Sequence, residues 1–217
     1  MTVATAPFAI AGAGILAVPF RTAYRLLANE DGIAEWLQVV LIVVCLLAYV
    51  RIGWVLWRSG HRALALLFFT GAAGMFFVGG EEISWGQRIF GWATPDVLED
   101  INNQGESNIH NIGPLLRIFN LVVLAVSLAA IVAPLARWTI WRERLRGVAG
   151  YLFVPPVALI PAFGFAFAYR AIRLLFLPEP DYVLSKYAEF AELSFYFGLA
   201  VFAIVTLRIL GSGIADR

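Results

Sequence analysis

The chain has 217 residues, enough for one domain. Hydrophobic residues make up 61% and charged residues 14%, with a mean hydropathy of +0.80; in water such a chain would expose aggregating apolar patches, since a soluble domain carries about 25% charge. The net charge of +1, with no basic stripe, excludes a nucleic-acid partner, and the single cysteine, Cys45, excludes a disulfide framework.

The expected fold is all-α: a polytopic bundle of five or six membrane spans forming one integral membrane domain over residues 1–217. Residues 1–20 are uncharged, and the first cation, Arg21, follows the apolar stretch, the wrong order for a cleaved secretory signal. Pro7, Gly12, Gly14 and Pro19 weaken it as a regular helix, so a sixth span and an interfacial segment both stay open. Asp31 and Glu35 open the next segment. Asp31 suits an N-cap, the plain reading, while Glu35 lies deeper.

A span needs about 20 apolar residues. Gly32–Trp57 and Ala63–Gly80 meet that length or nearly so. His61, between them, falls on the opposite side of the bilayer from His110, which argues against a bis-histidine haem within one chain. The second span runs into Gly79-Gly80-Glu81-Glu82-Ile83-Ser84-Trp85-Gly86-Gln87-Arg88. If the helix continues, Glu81, Ser84, Trp85 and Arg88 share a stripe offering a carboxylate, a hydroxyl, an aromatic wall and a guanidinium. On that geometry Glu81 faces inward and Glu82 outward. The plain alternative is a hydrated helix end with Trp85 in the interfacial aromatic belt.

The polar loop 81–113 also holds Asn102-Asn103-Gln104-Gly105-Glu106-Ser107-Asn108-Ile109-His110-Asn111. If this run is helical, Glu106 and His110 lie one turn apart and can ligate a metal or act as base and orienter. A divalent metal would need Glu81, Glu82 or Asp31 to complete its shell, and such a carboxylate-rich set favours Mg²⁺, Mn²⁺ or iron over zinc. A polar re-entrant loop is the plain alternative.

Ile118–Trp138 is the third expected span, followed by an arginine-rich loop, Arg137–Arg146. Gly147–Tyr169 is the fourth, with Pro155, Pro156 and Pro161 as kinks. Arg170 and Arg173 close it, one turn apart. Leu193–Leu207 is the fifth, reaching bilayer length only if the turn with Glu189 and Glu192 is included. With five alternating spans, nine arginines fall on the Arg51/Arg137–Arg146 side against seven cations on the other, while thirteen of fifteen acids gather opposite them. The positive-inside rule puts the arginine-rich side and the C-terminus in the cytoplasm. The fifteen-to-one excess of arginine over lysine points to a GC-rich bacterial genome, and so to a bacterial inner membrane.

The string Gly80-Glu81-Glu82-Ile83-Ser84-Trp85-Gly86-Gln87-Arg88-Ile89-Phe90-Gly91, with Thr94-Pro95 and the Asn103–Asn111 run, resembles a group of bacterial polytopic membrane proteins. Glu30-Asp31-Gly32 with Glu35 resembles the stretch before that group's first firm span. The resemblance covers the first half of the chain and implies that these residues form one site; it implies no reaction. Asp31–Leu37 has a looser likeness to the acidic motif of undecaprenyl-diphosphate phosphatases, whose Ser/Gly/His continuation is absent here.

Three functions fit. The first is a membrane-embedded enzyme acting on a lipid or lipid-linked substrate at the non-cytoplasmic face. In it Glu81, Glu82, Glu106 and His110 are the catalytic candidates, and Ser84, Trp85, Arg88, Asp31 and Glu35 the substrate-binding ones. The second is a small proton- or cation-coupled transporter. The third is an accessory or assembly subunit. Membrane lipids are the expected partners, alongside a second copy or a partner membrane protein.

Overall fold

A computed structural model describes residues 2–102, 105–139, 148–177 and 181–212. Those residues are all-α, with one isolated antiparallel bridge between Asn102 and Ile112. Five segments are long and apolar enough to cross a membrane: Arg21–Arg58, Arg62–Glu82, Gly113–Arg137, Val157–Phe176 and Tyr182–Gly211. The protein is a multi-pass membrane protein.

The chain opens with a short apolar helix, α1 (Ala6–Ala17), and a strongly amphipathic one, α2 (Arg21–Ala28). With the turn before it, α1 is too short to count among the five spans. It lies beside the bundle: the Tyr187 hydroxyl donates to the Ala11 carbonyl at 2.8 Å, and Gly14 admits the Tyr187 and Phe190 rings, which would stand within 3.0 Å of any Cβ there. α3 (Ile33–Arg58) and α4 (Arg62–Glu82) form a hairpin around Gly60, whose φ of +82° suits a residue without Cβ. Gly53 of α3 receives the Phe69 ring of α4, which is why these helices approach closely.

After α4 the polar segment contains two one-turn helices, α5 (Gln87–Phe90) and α6 (Asp96–Glu99). α7 (Gly113–Thr139) returns through the bundle. The expected fourth span is shifted. Val148–Phe153 is a separate short helix, α8, and the crossing helix α9 (Ile160–Phe176) begins only after Pro155 and Pro156. The reason is that Pro155 restricts Val154 and Pro156 restricts Pro155 to extended backbone. The short α10 (Tyr182–Lys186) leads into α11 (Ala188–Gly211), which does include the turn with Glu189 and Glu192. Most of the Arg137–Arg146 loop lies outside the described residues.

The packing order is α4 on α3, α3 on α11, α11 on α9 and α9 on α7. Ile42, Phe163, Phe195 and Tyr196 form the central core, joined by Leu159 and Ala166. A second cluster around Ile52, Leu56 and Phe68 fills the opposite end. Small residues set the α9–α11 distance: the Ser194 hydroxyl donates to the Ala162 carbonyl at 3.1 Å, and Phe163 sits on Gly198.

Candidate functional site

α4 stops at Glu82, so the expected continuous stripe does not form. Ser84 (φ 47°), Trp85 (φ 54°) and Gly86 (φ 95°) are all left-handed, and they turn the chain back over the helix end. Two of these are not glycine, at a cost of about 1–2 kcal/mol each. Hydrogen bonds offset it. The Trp85 indole N–H donates to Glu81 Oε1 at 2.6 Å and the Ser84 hydroxyl to Glu106 Oε2 at 2.7 Å.

The Gly105–Asn111 run is not helical either; it is a series of turns, so Glu106 and His110 engage different partners. The loop satisfies its own polar groups. Gln87 donates to Thr94 Oγ1 and accepts the Ser107 backbone N–H, both at 2.7 Å. Thr94 in turn donates to the Gly105 carbonyl. The Asn102 amide donates to Asn108, and the Asn108 amide to Ser84 and Glu106. Asn103 and Gln104 lie outside the described residues.

Arg88 is the hub of the first group. One terminal nitrogen lies 2.5 Å from Glu35 Oε1 and 3.5 Å from Asp31 Oδ1; the other donates to Glu106 Oε1 at 2.9 Å and Oε2 at 3.1 Å. Burial pulls its proton affinity down, but the Glu35 and Glu106 carboxylates more than offset that and raise it, so Arg88 stays charged. Asp31 does not cap α3. Gly32 occupies the N-cap position with no side-chain cap, and the Asp31 backbone N–H instead donates to Glu35 Oε2 at 2.6 Å. The physical cause is that Asp31 itself is left-handed (φ 61°) and its carboxylate faces Arg88.

Glu81 anchors the second group. It is 2% exposed, and its Oε2 accepts the backbone N–H groups of Ile109 and His110, both at 2.8 Å. The same oxygen lies 3.3 Å from His110 Nδ1, which donates to it. The imidazole is thereby held with Nδ1 on the carboxylate, and Nε2 makes no hydrogen bond among the described residues. The ring stacks edge-on to Phe119 of α7 at 6.0 Å and remains 23% exposed. Burial lowers the His110 pKa; the Glu81 hydrogen bond and the charges of Glu82 and Glu192 outweigh it and leave the pKa raised.

Glu81 is thus the inward glutamate, but Glu82 does not face lipid head groups. It accepts the Tyr196 hydroxyl of α11 at 3.3 Å and lies close enough to Glu192, Glu35 and His110 to feel their charges. Glu192 pairs with Arg170 of α9 at 2.5 Å. The buried Gln38 amide donates to the Glu189 backbone carbonyl at 3.0 Å and to Glu189 Oε2 at 2.9 Å. Asp31, Glu35, Glu81, Glu82, Glu106 and His110 therefore stand in one continuous polar region at one end of the bundle.

Sequence reasoning left Tyr196 and Gln38 out, and it named Glu192, Arg170 and Asn108 only as parts of the polar helix ends and loop, without their partners. One signal was available: Glu189, Glu192 and Tyr196 are spaced i, i+3, i+7, one face of a helix. No comparable signal reaches Asn108 before the loop is folded. Among the described residues no group of three or more His, Cys, Asp or Glu is placed to hold a metal ion. The donors a metal would need are engaged: Glu106 and Glu35 by Arg88, Glu81 by four N–H groups.

No family model matches the chain, and neither a curated protein nor a solved structure does.

Proposed function

We propose that the protein is a membrane-embedded enzyme that performs acid–base chemistry on a lipid or lipid-linked substrate, with His110 as the proton-transferring group. The observation that carries the reading is the Glu81–His110 pair: a buried carboxylate on Nδ1, and Nε2 without a hydrogen bond among the described residues, on a ring that feels the charges of Glu82 and Glu192. A carboxylate on one nitrogen orients an imidazole and stabilises its protonated form, so the other nitrogen can take and return a proton. Glu81 is then a positioning residue. Glu82, held by Tyr196, is the second proton carrier, and Arg170 the cation nearest a substrate anion. Arg88, Ser84, Glu106, Asp31 and Glu35 bond to one another and hold the loop that presents His110.

The arginine distribution supports a bacterial plasma membrane with the C-terminus cytoplasmic and this polar end outside. The test is an untargeted lipid profile of cells that lack the chain, complemented with wild type, His110→Ala or Glu81→Gln. A lipid species that accumulates without the chain, is cleared by wild type and persists with His110→Ala supports the reading. Identical profiles in all strains overturn it.

One observation favours a second reading, a proton-coupled carrier: the acids Glu82, Glu192 and Glu189 lie close enough to feel one another's charges, and Glu189 bonds the buried Gln38 between α3 and α11. Proton flux into liposomes that is lost in Glu189→Gln, with an unchanged lipid profile, selects it.

A further inference from the structure

We infer that the gap between α4 and α7 is an intramembrane cleft that binds the hydrocarbon tail of a lipid. The position of the lipid head rests on the reading above; the cleft itself does not. In the packing order α4–α3–α11–α9–α7, the two end helices have no extensive packing on each other among the described residues. Met75 and Val78 of α4 and Val123 and Ile131 of α7 pack instead against the same central core, the cluster that holds Ile42, Phe163 and Phe195.

His110 spans the top of this gap. Its Nδ1 is on Glu81 at the end of α4, and its ring is against Phe119 in the first turns of α7. Towards the other end, two cavities meet at Phe202. One, of about 270 Å³, lies between Leu67, Phe68 and Gly71 of α4 and Leu152 and Phe153 of α8. The other, of about 380 Å³, lies against Pro134 of α7 and Val157. Phe68 is fourteen residues before Glu82, so the first cavity sits about 21 Å below the polar end, within the hydrocarbon layer.

The chemistry of the lining selects the occupant. Both cavities are walled mainly by apolar side chains, so water finds too few polar partners to stay. Left empty, the walls forfeit dispersion contacts. A hydrocarbon tail restores them. A partner helix is excluded by shape: it is a cylinder about 10 Å wide, while Phe202 stands between the two lobes and divides the space. A flexible tail passes on either side of that ring. The polar head of such a lipid then lies at the His110 end, where Glu192 and Arg170 are part-exposed.

The experiment measures lipid retained by the detergent-purified chain, by native mass spectrometry, in wild type, Leu67→Trp, Val157→Trp and Leu121→Trp. Leu67 and Val157 sit at the exposed rims of the two lobes, and Leu121 is comparably exposed on α7 but lines neither. Each indole at a rim should fill its lobe and lower retained lipid by about tenfold, a change of about 1.4 kcal/mol, while Leu121→Trp retains the wild-type amount. Equal retention in all four, or equal loss in Leu121→Trp, overturns the cleft. A diazirine-bearing fatty acid gives a second reading on unaltered protein: labelling of the peptide around Phe202 supports the cleft, and labelling of outward faces alone overturns it. Retention that follows this pattern while His110→Ala leaves the lipid profile unchanged keeps the cleft and removes the enzymatic reading.

Discussion

Arg88 compensates three carboxylates with one cation. Its guanidinium is 8% exposed on the side chain, and the planar fork lets its two terminal nitrogens serve Glu35 and Glu106 at once. Arg88→Met leaves both acids without their cation in a region poor in water. Breaking a buried pair from one side costs about 3–5 kcal/mol. The expected outcome is a large drop in thermal midpoint in detergent. Arg88→Lys should recover only part of it, because an ammonium cannot make the same fork. A midpoint for Arg88→Met within a degree or two of wild type would show the network to be energetically idle.

His110 gives a pH dependence whose sign is fixed. Its pKa in the folded chain lies above the ordinary 6.5, so its contribution to stability is fully present below that value and is lost as pH rises through the raised one. The thermal midpoint should therefore fall over this window, and His110→Gln should flatten the slope. The base form of the imidazole grows over the same window. If His110 accepts the proton, activity rises with pH where stability falls. A midpoint that climbs through the window, or a slope unchanged in His110→Gln, contradicts the Glu81–His110 pairing.

At the scale of elements, the decisive event is the end of α4. No proline terminates it. Gly79 and Gly80 weaken the helix there, and the left-handed turn at Ser84–Gly86 lets the Trp85 ring fold back onto Gly80. A Cβ on Gly80 would lie 2.9 Å from that ring. This makes Gly80→Ala an informative change, because its two effects have opposite signs. By helix propensity alone it stabilises by roughly 0.8–1.0 kcal/mol. By displacing Trp85 and its bond to Glu81 it destabilises by about 1–3 kcal/mol. We expect net destabilisation with a shifted tryptophan emission. Stabilisation would mean that the folded-back indole contributes little.

At the scale of the whole molecule, five spans put the two ends of α4 on opposite faces. Reporter fusions after Arg62 and within the 140–146 segment should read as cytoplasmic, and one near Asp96 as external. The opposite pattern at all three would place the His110 end inside the cell and move any lipid substrate to the inner leaflet.

Much of the architecture was legible in the amino acids. Apolar runs of bilayer length are imposed by the solvent: each backbone group in lipid must be bonded within its own helix, so span existence follows from composition over a short window. The convergence of the acids at one end follows too, because alternation of spans assigns each helix end to a face. Glu81 is buried, as the stripe argument expected, but of its three stripe partners only Trp85 bonds it; Ser84 and Arg88 turn to Glu106, and Ile109 and His110 supply the rest. What only the tertiary structure decided is which polar group meets which. Asp31 reads as a cap and Glu106 as a neighbour of His110, because local spacing is all that sequence offers. In the fold, Arg88 draws Asp31 and Glu106 together across 75 residues, while Glu81 takes His110. Tyr196 reaches Glu82 from more than 100 residues away, and Arg170 of α9 takes Glu192. These are pairings of polar and charged groups that lipid cannot solvate, and the cheapest arrangement of such groups depends on which helix ends the packed core brings within reach.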